Sequence, residues 1–150
     1  MNARILVDAD ACPVKDEVYR VALRHGVGVV IVSNQRIRIP DHPLITRQVV
    51  SDAFDAADDW IAEAASPGDV VVTGDILLAD RALKAGAAVI APTGKPFTAA
   101  SIGSAVATRA IMADLRAGIE TIGGPPPFAK ADRSRFLQAL DTALVRLARP

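Results

Sequence analysis

Four short apolar runs, residues 5–7, 27–32, 70–73 and 88–91, fall in the first hundred positions, and the first three hand over directly to polar groups. Runs without polar alternation predict strands covered on both faces, as in a parallel sheet. Between them the pattern switches to the helical period. Residues 14–25 set Val14, Val18, Val21 and Ala22 apart from Lys15, Asp16, Glu17, Arg20 and Arg24 and stop at Gly26, which predicts an amphipathic helix with a glycine C-cap. Residues 51–65 predict a second helix, with Phe54, Ala57, Ile61 and Ala64 on one face and Ser66-Pro67-Gly68 ending it; residues 76–85 predict a third, finished by Gly86. Val49 and Val50 close a further short strand. Arg36-Ile37-Arg38-Ile39-Pro40 alternates with period two and stops at proline, the mark of an edge strand or loop excursion with both arginines on one side.

After a turn at residues 92–97 the pattern becomes helical. A long helix is expected over residues 99–117 and a Gly/Pro-rich loop over 119–128. A last helix, capped by Asp132, carries the stripe Phe136, Leu137, Leu140, Leu144 and Leu147, with Lys130, Arg133, Arg135, Arg146 and Arg149 outside it. Strand and helix alternate through residue 91, so the expected fold class is α/β: a three-layer α/β/α arrangement with a mainly parallel, doubly wound sheet, plus C-terminal helices. One domain spans residues 1–150, with the sheet core in 1–97 and a helical extension, 98–150, packed on it. If the winding reverses after the first half, the strands at 5–7 and 70–73 become neighbours at the switch point, where ligands bind in open α/β sheets.

Composition narrows this. At 150 residues the chain suits a single core, and with 51% hydrophobic but only 4% aromatic residues that core is aliphatic. A single cysteine, Cys12, excludes an internal disulfide and a Cys-rich zinc site and fits a reducing compartment. No run approaches the roughly 20 apolar residues of a membrane span, and no signal-peptide pattern precedes the first strand, so a soluble cytoplasmic protein is expected. Net charge is zero, but residues 51–80 carry eight Asp/Glu and no Lys/Arg, while residues 81–150 carry ten Lys/Arg against four acids. A solvated face explains such a block equally well, until its members are placed on the fold.

Asp8 ends the first strand, where a carboxylate must be hydrogen-bonded, paired or metal-bound to offset desolvation. Asp10 follows it, either as a second site acid or as the N-cap of the next helix. Asp75 follows the strand at 70–73, again as site acid or helix cap, and Asp55 and Asp58 share a helix face three residues apart. Asp8, Asp75, Asp55 and Asp58, without histidine or cysteine, form an all-oxygen set of the kind Mg²⁺ or Mn²⁺ takes, with Asp8, Asp10 and Asp75 as catalytic acids. Such ions activate water and polarise phosphoryl oxygens, which points to phosphate-ester hydrolysis. Asn34, Gln35, Arg36, Arg38, Lys95 and Arg133 are the candidate substrate contacts, the arginines either binding phosphate or protecting a sheet edge. Two other readings stay open. Asp8-Ala9-Asp10 and Gly74-Asp75 with Asp80 imitate a haloacid-dehalogenase-like phosphohydrolase with Asp8 as nucleophile, although no lysine lies between Lys15 and Lys84 to complete it. A non-catalytic module binding nucleic acid or a protein partner, or a second copy of itself, would keep the acids as caps.

The strings D-A-D-A-C-P at residues 8–13, S-N-Q at 33–35, F-D-A-A-D at 54–58, T-G-D-I-L-L-A at 73–79, G-G-P at 123–125 and D-R-S-R-F at 132–136 resemble the YaiI/YqxD family of uncharacterised bacterial proteins. That resemblance runs nearly the whole chain. It implies a fold similar to the PIN-like nucleases, whose acids come from the first strand end, a mid-chain helix and a later strand end, the layout of Asp8, Asp55/Asp58 and Asp75. PIN-like nucleases usually place a glutamate in the mid-chain helix, where this chain has aspartate. The implied activity is metal-dependent cleavage of single-stranded nucleic acid, RNA above DNA.

Overall fold

β1 (Arg4–Asp8) buries Ile5, Leu6 and Val7 completely and stands near the centre of a six-stranded sheet of order β3-β2-β1-β4-β5-β6. The structure, a computed structural model, describes residues 3–53, 55–103, 107 and 128–148. Parallel pairing joins β1 to β2 (Gly28–Ser33) and to β4 (Asp69–Val72), β2 to β3 (Ile45–Val49), and β4 to β5 (Ala88–Ile90). The chain therefore winds outward from β1 to β3, returns through α2 (Ala56–Ala64) to β4, and continues through α3 (Ile76–Lys84). This is the doubly wound α/β architecture, with its switch point between β1 and β4.

Side chains alternate across the strands and so divide the core in two. Ile5, Val7, Val29, Ile31, Val70 and Val72 face α1 (Lys15–His25) and α4 (Lys130–Ala148), meeting Val18, Val21, Phe136, Leu140 and Leu144. Leu6, Val71 and Val89 face α2 and α3, meeting Ile61, Leu78, Ala79 and Ala82. Small alanines on α3 bring that helix close to the sheet. Phe136 is fully buried beneath α4. Truncating it should leave a large cavity, so Phe136→Ala is expected to cost about 3–5 kcal/mol in urea unfolding, against under 0.5 kcal/mol for a surface change such as Lys130→Ala.

Several boundaries differ from the sequence expectation, each for a local reason. The second helix starts at Ala56 rather than residue 51, because Asp55 has φ 67°, a left-handed conformation no α-helix can pass through. The last helix starts two residues before Asp132, whose Oδ2 accepts the Ala129 N–H at 2.9 Å from inside the first turn. Residues 36–40 form no strand, although the alternation holds: Ile37 and Ile39 pack on the core while Arg36 and Arg38 are exposed. Part of the expected 92–97 turn is an antiparallel edge strand, β6 (Pro96–Phe97), pairing Phe97 with Val89. The turn before it fits only glycine: Gly94 has φ 91°, and a Cβ there would lie 2.6 Å from the Arg135 backbone. That close approach seats α4 against the carboxyl end of the sheet. Residues 99–103 are helical, whereas most of the expected 99–117 helix, Phe54 and the Gly/Pro-rich loop lie outside the described residues. Among the described residues no helix is long and apolar enough to cross a membrane.

Candidate functional site

The pairing of Val7 with Val72 puts the ends of β1 and β4 side by side, so Asp8 stands next to Thr73. The Thr73 hydroxyl donates to Asp8 Oδ2 at 2.9 Å and accepts the Asp75 N–H at 3.0 Å. Asp75 in turn caps α3: its Oδ1 accepts the N–H groups of Leu77 and Leu78 at 2.8 and 3.2 Å. The capping reading of Asp75 is thus realised, and it engages Oδ1 while Oδ2 makes no hydrogen bond among the described residues. Asp10 does not cap α1, whose N-cap position is Val14. A 3₁₀ turn at Ala9–Ala11 intervenes, held by Lys15 Nζ on the Ala9 and Cys12 carbonyls at 3.2 and 3.0 Å, and carries Asp10 toward β2 instead. There the Asp10 carboxylate takes the Asn34 N–H at 3.2 and 3.3 Å.

These groups surround a cleft of about 540 Å³ at the carboxyl ends of β1 and β4. Asp8, Asp10, Asp52, Asp55, Asp58 and Asp75 all line it, with Asn34, Gly74 and Pro92, and among the described residues no Lys, Arg or His does. Half of the acidic block at residues 51–80 is therefore gathered at the switch point. Asp52, counted in the sequence as part of that block, belongs to the cleft wall. A larger cleft, about 780 Å³, opens at the amino ends of the strands, but its charged groups are paired: Arg4 bridges Asp69 at 2.9 Å and His25 meets Asp141 at 2.7 Å. Of these two clefts, the smaller, acidic one holds carboxylates that enter no ion pair among the described residues.

Its electrostatics follow first from burial and then from crowding like charges. Burial is the main force raising the Asp8 carboxyl above its ordinary range; the Thr73 hydrogen bond opposes this, and the charges of Asp10 and Asp75 add to it. Asp58, half-buried at the start of α2, is pushed up to about 6, first by burial and then by the charges of Asp75, Asp8 and Asp55. Asp58 and Asp8 thus feel one another and Asp75 across the cleft. Asp55 sits at the N-cap position of α2 without capping it, its left-handed backbone among the few non-glycine conformations that aspartate tolerates. Among the described residues no three Asp, Glu, His or Cys side chains are drawn together closely enough to form a ready metal-ligand group. The donor chemistry nonetheless fits a hard divalent cation, since carboxylates that repel one another across an acidic cleft are what such an ion neutralises.

The remaining candidates divide. Asn34 lines the cleft. Gln35 is exposed beyond it, its carbonyl taking the Ser33 hydroxyl. Arg36 and Arg38 are exposed on the same loop, and among the described residues neither enters an ion pair; Arg36 is two residues, at most about 7 Å of chain, from Asn34. Lys95 is exposed in the turn that brings Pro92 to the cleft. Arg133 is not brought there: it donates to the Pro13 carbonyl at 2.7 Å and to Glu17 at 3.1 Å and lies over the Phe128 ring, tying α4 to the start of α1. Asp80 pairs with Lys84 along α3. Thr73 was missed as a site residue, although a hydroxyl closing the Val70-Val71-Val72 run is a visible signal.

Fold and cleft define a doubly wound α/β protein with an aspartate-lined cleft at its switch point. The chain belongs to the YaiI/YqxD family: the family model described as "Uncharacterized BCR, YaiI/YqxD family" matches residues 6–146. A UPF0178 protein of Sphingopyxis alaskensis is 77% identical over 146 residues, covering 97% of this chain and 95% of its own. UPF0178 proteins of Nitrobacter winogradskyi and Rhodopseudomonas palustris BisB5 are 60% and 59% identical over 97% of this chain, covering 93% and 89% of theirs. No solved structure matches the chain.

Proposed function

We propose that the protein is a PIN-like, divalent-metal-dependent phosphodiesterase acting on single-stranded nucleic acid, RNA above DNA. The observation that carries this reading is the convergence of six aspartates, unaccompanied by any Lys, Arg or His among the described residues, on one cleft at the switch point. Asp8 from the first strand end, Asp58 from the mid-chain helix and Asp75 from the later strand end supply the acids in the order of the PIN-like layout. Asp8, Asp58 and Asp75 would hold Mg²⁺ or Mn²⁺, with Asp55 and Asp10 beside them. The bound ion would activate water and stabilise charge on the phosphoryl oxygens. Asp10 fixes the Asn34 loop at the cleft edge, and Arg36 and Arg38 on that loop offer phosphate contacts to a strand entering from this side.

The test is incubation with labelled RNA, DNA and a small phosphomonoester, with Mn²⁺ and with chelator. Cleavage of RNA in Mn²⁺ alone, without hydrolysis of the monoester, is the expected result; monoester hydrolysis through a phosphorylated aspartate, or neither activity, would contradict it. The arginines have their own test. If each neutralises one phosphate of a single strand, Arg36→Ala with Arg38→Ala should lower the log–log salt slope of oligonucleotide binding by about 1.4. An unchanged slope would make them edge protection alone.

A further inference from the structure

Thr73 closes β4 with 1% of its surface exposed, and its own N–H stays in the sheet on the Ile90 carbonyl at 3.2 Å. Valine would continue the apolar run of Val70, Val71 and Val72 at the same volume, so the hydroxyl is the feature to explain. Its two bonds have a forced direction. The Asp75 N–H can only donate, so Oγ1 accepts there, and the single hydroxyl proton is left for Asp8 Oδ2. Asp8 Oδ2 is thereby committed as an acceptor, while Asp8 Oδ1 makes no hydrogen bond among the described residues. Ser33, the buried residue ending β2, is a useful contrast: its hydroxyl bonds the Gln35 carbonyl of its own loop and, among the described residues, makes no bond across the sheet. Among the described residues, Thr73 is the side chain that hydrogen-bonds between the two strand ends flanking the switch point.

We propose that Thr73 is a positioning residue of the aspartate cleft, its hydroxyl setting the orientation of the Asp8 carboxylate and tying it to the turn that carries Asp75, so that a divalent cation meets the two acids as a fixed pair. The role rests on the reading of the cleft as a metal-dependent phosphodiesterase site. A β-branched side chain suits it, because χ1 is restricted and the hydroxyl keeps its aim. Partners of ligating groups in this position typically change metal affinity by about 10- to 100-fold when removed.

Three measurements on Thr73→Val and Thr73→Ser test the proposal. In a crystal structure of metal-free Thr73→Val, the Asp8 carboxylate should leave the position it holds in the wild type. Mn²⁺ binding, followed by the electron paramagnetic resonance of the free ion, should be about tenfold or more weaker in Thr73→Val and close to wild type in Thr73→Ser. In RNA cleavage, kcat should fall in Thr73→Val with KM unchanged, since the arginine contacts are untouched, and Thr73→Ser should restore it. A merely structural threonine would lower the melting temperature and leave Mn²⁺ affinity and kcat as they are. An unmoved Asp8 with wild-type Mn²⁺ affinity in Thr73→Val, or a Thr73→Ser as weak as Thr73→Val, would overturn the role. Wild-type protein that binds no Mn²⁺ at all would overturn the metal-site reading and this role with it, an outcome distinct from the other two.

Discussion

Asp8→Asn is expected to lose Mn²⁺-dependent cleavage by at least about 100-fold and, in metal-free buffer, to melt no lower than wild type. The first effect follows from removing a carboxylate that would hold the ion at the switch point: a loss of about 3 kcal/mol of transition-state stabilisation is a factor of about 100 in rate. The second follows from the charges. Folding raises the Asp8 carboxyl above its ordinary range through burial and the neighbouring Asp10 and Asp75, so an ionised Asp8 works against the fold at neutral pH. A neutral amide removes that conflict and still offers Oδ1 as an acceptor to Thr73. Loss of activity together with loss of stability would mean that Asp8 is a structural residue. Undiminished cleavage in Asp8→Asn and Asp75→Asn would assign the activity to a contaminant.

The pH dependence of stability gives the second large effect. Asp58 has an ordinary pKa of 3.8 in the unfolded chain and about 6 in the fold. Between these values the folded protein holds a proton that the unfolded chain has released, so this contribution is fully present below about pH 4 and lost as pH rises through about 6. Asp8, also raised, acts in the same sense. Asp132 is lowered, first by the Ala129 N–H and then by Arg135, so its contribution is lost as pH falls below the ordinary carboxylate range. Metal-free protein should therefore become less stable to urea between pH 4.5 and pH 7, and Asp58→Asn should flatten that fall. Screening at this half-exposed site keeps the Asp58 share on the order of 1 kcal/mol. A wild-type profile that rises over this range, or an Asp58→Asn profile as steep as wild type, would show that the cleft carboxylates are not in conflict.

The parts of this site that could be read from the sequence are those written in local chemistry. Uninterrupted Val/Ile runs announced the buried strands, and Asp8 and Asp75 stood out because each follows such a run. The neighbouring of β1 and β4 came from the doubly wound pattern and placed those two acids together. Other features depend on contacts far apart in the chain. Asp10 looks like a helix cap until the 3₁₀ turn held by Lys15 carries it to Asn34, and Arg133 looks like a free cation until α4 brings it onto Pro13 and Glu17. The pair of Arg4 and the buried Asp69 joins residues 65 apart, with no local signal to announce it. The Asp55 backbone reversal, which shortens α2, is a conformation that aspartate tolerates without demanding.

Metal binding at the cleft is the claim on which the functional account turns, and the melting temperature with and without Mn²⁺ tests it most directly. An ion present at a hundred times its dissociation constant and bound only by the native state adds about 2.7 kcal/mol, roughly 5–10 °C for a chain of this size. Wild-type protein should show an upward shift of that order in millimolar Mn²⁺, with Asp8→Asn showing much less. Equal shifts in the two proteins, or none in wild type, would contradict a metal site at the aspartate cleft.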